Sequence, residues 1–182
     1  MKKTILFTLL ILAAAGFAHA QSDEWIDYSS DSGKFSVLLP SEPTPSTLDS
    51  EGQPKDVKTG KPLGKKVQFT YNDVTSKNGQ SFYLVGWVDY QPGFTFDPKG
   101  ELEANRDNFI SELGATIVSQ KSIMLGVNQG LEFVAEKSPG AYIKGRVYIV
   151  GKRPYILIAL TLDKENNDAD KFLDSFKLSR KK

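Results

Sequence analysis

The chain has no cysteine and a single histidine, His19. Thiolate nucleophiles, disulfide frameworks and Cys/His zinc sites are therefore excluded. One imidazole cannot build a two-histidine iron site, and any Ser-His-Asp triad would have to use His19. Gly-x-Ser-x-Gly, phosphate-loop and dinucleotide-binding glycine motifs are also absent, and Ser-x-x-Lys occurs only as Ser179 to Lys182. Charge of one sign is missing too: 23 basic against 22 acidic residues give a net charge of +1, which argues against a nucleic-acid partner.

His19 itself lies in Ala14-Ala15-Gly16-Phe17-Ala18-His19-Ala20-Gln21, behind a basic Met1-Lys2-Lys3 and an apolar run from Ile5 to Ala15. Basic start, short apolar core and small-x-small site together describe a secretory signal peptide over 1–20, cleaved after Ala20. The core is shorter than the about 20 apolar residues of a membrane span, and no cysteine follows the site to take a lipid. The expected product, 21–182, loses Lys2, Lys3 and the only histidine, so its charge falls from +1 to −1. It is expected to be periplasmic or secreted, without a membrane span, and large enough to bury a core as one domain without disulfides. A monomer is the working expectation.

Along 21–182 the longest stretch without periodicity is 41–64, which holds Pro43, Pro45, Pro54 and Pro62 and reads as a long proline-rich surface loop. Gly33 to Pro40 reads as a strand, with Trp25 and Tyr28 upstream to pack beside it. Val67, Phe69 and Tyr71 alternate with polar residues, as in a strand with one wet face. Gln80 to Tyr90 and Pro154 to Leu162 are apolar on both faces and belong inside a covered sheet. Ala115 to Ile123, Gly130 to Glu136 and Ala141 to Val150 complete the strands, the last joined to its successor by a turn at Gly151-Lys152-Arg153.

Helical spacing links Leu102, Arg106, Phe109, Ile110 and Leu113, with Asp97 as N-cap, Pro98 in the first turn and Gly114 as stop. A second helix is expected from about Asp168 to Phe176. The strands joined by short turns, together with the doubly apolar pair, predict an α+β fold: an antiparallel sheet with helices on both faces, an α/β/α sandwich.

Trp25-Ile26-Asp27-Tyr28, the run GKFSVLLPSEP from Gly33 to Pro43, and Phe172-Leu173-Asp174-Ser175-Phe176-Lys177-Leu178 resemble the PsbP-like, Mog-type family. The resemblance spans about Trp25 to Leu178 and rests on core and turn residues. It implies a bacterial exported member with a six- to seven-stranded antiparallel sheet between helices. The family is mostly non-catalytic, with an extrinsic photosystem subunit, a Ran-binding protein and bacterial envelope proteins among its members. The histidine metal ligands of the photosystem members have no counterpart here, so the resemblance brings neither metal nor cofactor.

Two stretches are candidate binding surfaces. Phe94 and Phe96 stand in a turn-rich connection after Trp87, either folded back as a lid over Trp87 and the helix or exposed as a contact patch. Tyr142, Lys144, Arg146 and Tyr148 share one strand face, which is either an ordinary wet face or a seat for an anionic ligand or partner. Among the acids, Glu101, Glu103, Asp107 and Glu112 are candidates for carboxylate chemistry by residue type, with a solvated helix face as the simpler account. Asp163, Glu165 and Asn167 have the alternate spacing of a calcium loop, but Asp168 occupies its glycine position, and a capped helix start explains the same residues.

The expected function is therefore a non-enzymatic exported domain that contacts a protein partner or an envelope component. A carboxylate-dependent hydrolase and a carrier of a small apolar ligand, held beneath the proline-rich loop, are the alternatives.

Overall fold

A computed structural model describes residues 25–53, 65–163, 165 and 168–179. The expected signal peptide at 1–20 lies outside the described residues. The described chain forms β1 (Ile26–Ser30), β2 (Phe35–Leu39), β3 (Thr44–Gly52), β4 (Val67–Asn78), β5 (Ser81–Tyr90), α1 (Pro98–Leu113), β6 (Thr116–Leu125), β7 (Asn128–Lys137), β8 (Ala141–Val150), β9 (Arg153–Thr161), α2 (Asp168–Ser175) and β10 (Lys177–Leu178).

Seven strands form one antiparallel sheet in the order β3-β4-β5-β9-β8-β7-β6, and β1-β2-β10 form a second. The interior pair β5 and β9 is the pair that is apolar on both faces. Tyr83, Val85, Trp87, Tyr155 and Leu157 enter the core beneath the small sheet, while Leu84, Ile156 and Ile158 enter the core beneath α1. Period-two alternation sends neighbouring side chains to opposite faces, so both faces need cover.

One cover is α1. Asp97 Oδ2 accepts the Gly100 N–H at 2.7 Å, and Gly114, at φ 62°, closes the helix in the left-handed region that glycine enters at little cost. Leu102, Arg106 and Ile110 are its buried residues. On the opposite face α2 has eight residues, an axial length of about 12 Å at 1.5 Å per residue. That is too short to cover the aromatic floor, and the β1-β2-β10 sheet supplies the rest. Phe35 on β2 sits 5.5 Å from the Trp87 ring and 5.4 Å from that of Phe176.

This overturns the expected class. Strand accounts for 58% and helix for 17% of the described residues, so the protein is mostly β, and a second sheet stands where the α/β/α reading put helical cover. The reason lies in β1 and β10, which are too short to carry a periodic signal and are strands only because β2 pairs with both.

The proprosed loop at 41–64 is corrected too. Residues Thr44–Gly52 form β3, an edge strand paired with β4 over its whole length, and Pro45 is tolerated because an edge strand leaves one side of its backbone unpaired. Residues 54–64 lie outside the described residues. Among the described residues no helix is long and apolar enough to cross a membrane.

Candidate functional site

Where β5 ends, Tyr90 becomes the hub of an aromatic cluster. Its ring lies 4.7 Å from Phe94, 5.6 Å from Phe96 and 6.0 Å from Phe69. The connecting turn is fixed by Gln91 N–H on the Gln68 carbonyl at 2.9 Å and by Phe94 N–H on the Gln91 carbonyl at 3.2 Å. Tyr90 Oη donates to Glu101 on α1. Burial, and then the neighbouring carboxylate, push the Tyr90 phenol far above its usual value, so it stays protonated and remains a donor.

Phe94 and Phe96 are each half-buried, so the two readings of this loop divide between their rims and their bases. Phe96 packs at the margin of the core under α1. Neither covers Trp87, which points through the sheet into the other core and is 3% exposed. Its indole Nε1 is buried without an acceptor among the described residues.

The stripe on β8 occupies the α2 side of the sheet, where neighbouring elements cover much of it. Tyr148 is 3% exposed and stacks on Phe176 with ring centroids 6.1 Å apart. Lys144 pairs with Asp170 on α2. Arg146 donates through Nε to Glu132 at 2.8 Å, through Nη1 to the Leu173 carbonyl at 2.9 Å and through Nη2 to Asp174 at 2.7 Å. Burial alone would lower the Arg146 pKa, but the bonds to Glu132 and Asp174 outweigh it and hold the guanidinium above its usual value. Tyr142 is half-buried at the far end of the strand. The stripe thus clamps α2 to the sheet, with its cations already engaged.

The helix acids do not converge. Glu101 takes the Tyr90 hydroxyl, Asp107 pairs with Arg106 at 2.7 Å, and Glu112 is exposed near the helix end. Among the described residues no group of three or more acidic or imidazole side chains is placed to hold a metal ion. Of the calcium-loop spacing, Glu165 N–H bonds Asp163 Oδ1 at 3.0 Å, while 164, 166 and 167 lie outside the described residues.

Sequence reasoning missed two features. Asp73 on β4 is 7% exposed on the face that carries Tyr71, and burial pushes its carboxyl up to about 6. Its phase with Val67, Phe69 and Tyr71 was the available signal. The second is an open apolar groove of about 400 Å³ formed by Leu125, Val127, Phe176 and Leu178, with Gly126, Asn128 and Lys177 completing its wall. Val127, at the tip of the β6–β7 turn, is 91% exposed. An apolar side chain between Gly126 and Asn128 in a tight turn was its signal.

A seven-stranded antiparallel sheet with α1 on one face and a small sheet plus short helix on the other defines a mostly β domain of PsbP-like fold. It is similar to the solution structure of cyanobacterial PsbP (CyanoP) from Synechocystis sp. PCC 6803, with a TM-score of 0.52 and 12% identity over 92% of this chain and 98% of that one. No protein-family model and no curated protein matches the chain.

Proposed function

We propose that this chain is an exported, non-enzymatic binding or accessory domain, periplasmic or secreted, that contacts a protein partner or an envelope component. The bacterial exported, Mog-type assignment within the PsbP-like fold belongs to the same proposal. One observation carries it: the groove walled by Leu125, Val127, Phe176 and Leu178 is open, with no carboxylate on its lining. A hydrolase built on two acids needs them facing each other across an enclosed cleft, whereas an apolar surface held on rigid strands is suited to contact.

The contact surface assigned here is the loop end of the large sheet, with the half-buried Phe94 and the exposed Val127, in preference to the β8 stripe, whose cations are engaged. Crosslinking in the intact producing cell, followed by native mass spectrometry of the purified protein, tests the reading. A retained neighbour or ligand mass is the expected result. A bare monomer without crosslinks, or turnover of a substrate that disappears when Glu101 is replaced, overturns it.

A further inference from the structure

Antiparallel register decides which turns share an end of the molecule. Leu125 pairs with Asn128, Gly130 with Tyr148 and Val150 with Arg153, so the turns Gly126–Val127 and Gly151–Lys152 project from the same end of the large sheet. Trp87 pairs with Tyr155, which sends the 91–97 connection off that end as well. The β1–β2 turn joins them, because Arg153 Nη1 donates to the Ser32 carbonyl at 2.8 Å and Ser179 N–H donates to the Lys34 carbonyl at 2.9 Å.

This end combines apolar tips with unneutralised cations. Val127 is 91% and Met124 59% exposed. Lys34, Lys65, Lys99, Lys152 and Lys177 are exposed along the same end, Lys177 beside Val127, and have no ion pair among the described residues. Of the acids at this end, Asp89 pairs with Arg153 and Glu51 with Lys66, Asp97 caps α1, Glu101 accepts the Tyr90 hydroxyl, and Asp31 on the β1–β2 turn is exposed. The opposite end carries Glu42, Glu136, Asp163 and Glu165 against Lys77 and Lys137. A nearly neutral chain is thus polarised from end to end.

We propose that this loop end docks on an anionic lipid surface, with Val127 entering the headgroup layer and the surrounding lysines facing lipid phosphates. The proposal rests on the binding-domain reading and names its envelope component. Val127 stands 91% exposed at the tip of a two-residue turn, beside Lys177 and over a groove that is open, so it lacks the enclosed, desolvated pocket on which protein hot spots depend. A bilayer accepts such a tip without shape complementarity, and its attraction for lysines accumulates charge by charge within a Debye length. The polarity would orient the acidic end away from the surface.

The test uses residues 21–182, which contain every described residue, and flotation with vesicles of phosphatidylcholine alone or mixed with phosphatidylglycerol. Binding is expected only to the mixed vesicles, and is expected to weaken with added salt. Val127→Asp and Lys177→Glu, both at exposed positions and checked for unchanged melting, are each expected to weaken it roughly tenfold. Lys137→Glu at the opposite end is expected to leave it unchanged. Failure to bind the anionic vesicles, or equal effects of all three substitutions, overturns lipid docking. A photo-crosslinker at position 127 in the producing cell separates the two levels of failure. A trapped lipid supports the proposal, a trapped protein overturns it while sparing the binding-domain reading, and an uncrosslinked monomer overturns both.

Discussion

Arg146 Nε and Glu132 Oε2 stand 2.8 Å apart on neighbouring strands beneath α2, with side chains only 15% and 9% exposed. The remaining guanidinium nitrogens bind the Leu173 carbonyl and Asp174, so one side chain joins β7, β8 and α2. Charge pairs of this kind are costly to break from one side, since Glu132 would stay desolvated with only the exposed Lys121, at 2.9 Å, as its partner.

Arg146→Ala is therefore expected to lower unfolding free energy by about 3 kcal/mol, with Arg146→Met plus Glu132→Leu recovering most of that loss. Urea denaturation of both variants measures it. A loss below about 1 kcal/mol for the single variant would mean that the pair behaves as a solvated surface bridge.

Asp73 makes stability fall as pH rises. Its folded pKa of about 6 exceeds its unfolded value near 3.8, so the native state holds the proton more tightly between these limits. The contribution is fully present below pH 3.8 and is lost as pH climbs through about 6. Asp73→Asn is expected to stabilise the protein by about 3 kcal/mol at pH 8 and by little at pH 4, values set by the pKa difference. Glu132, whose pKa is lowered, acts in the opposite direction in both proteins and cancels in the comparison. An equal gain at both pH values would remove the titration of Asp73 as the cause.

Gly145 on β8 pairs with Phe133 on β7, and the ring occupies the space its side chain would need. A Cβ there would come within 2.3 Å of Phe133 Cζ, and Phe133 is 1% exposed under α1. Gly145→Ala is expected to cost about 3 kcal/mol, as overpacking of a rigid core does. Thermal melting is the measurement, and a variant as stable as the parent would show that the ring can step aside.

Phe94 and Phe96 differ in their support. Phe96 touches both the Tyr90 cluster and the α1 core, while among the described residues the ring contacts of Phe94 are with Tyr90 and Phe96. Alanine at 96 is expected to cost about 2 kcal/mol and at 94 about 1 kcal/mol, fractions of the loss at a fully buried phenylalanine. Both variants are expected to fold. Collapse of Phe94→Ala would assign that ring wholly to the core and remove it from any contact surface.

Sequence periodicity was most informative where one element settles its own environment. The alternation in β5 and β9 identified strands covered on both faces, and Asp97, Pro98 and Gly114 marked the ends of α1, because capping and side-chain alternation are local. It failed at β3, whose single proline and polar residues follow no strand pattern and which is held by pairing to β4. It failed again at β10, two residues ordered by β2. The β8 stripe shows the limit most clearly. That Tyr142, Lys144, Arg146 and Tyr148 share a face follows from period two, but whether the face meets water or a helix depends on a segment some 25 residues further along the chain.

Composition alone removed thiol chemistry and left His19 as the only imidazole, since no fold can supply a side chain that the chain lacks. It also fixed the apolar faces of the central strands, because alternation is covalent geometry. Tertiary structure decided which layer covers each face, engaged the cations of β8 and desolvated Asp73. It also brought Val127 to one end with Lys34, Lys152 and Lys177. Those are consequences of register and packing between segments distant in sequence, and no local pattern encodes them.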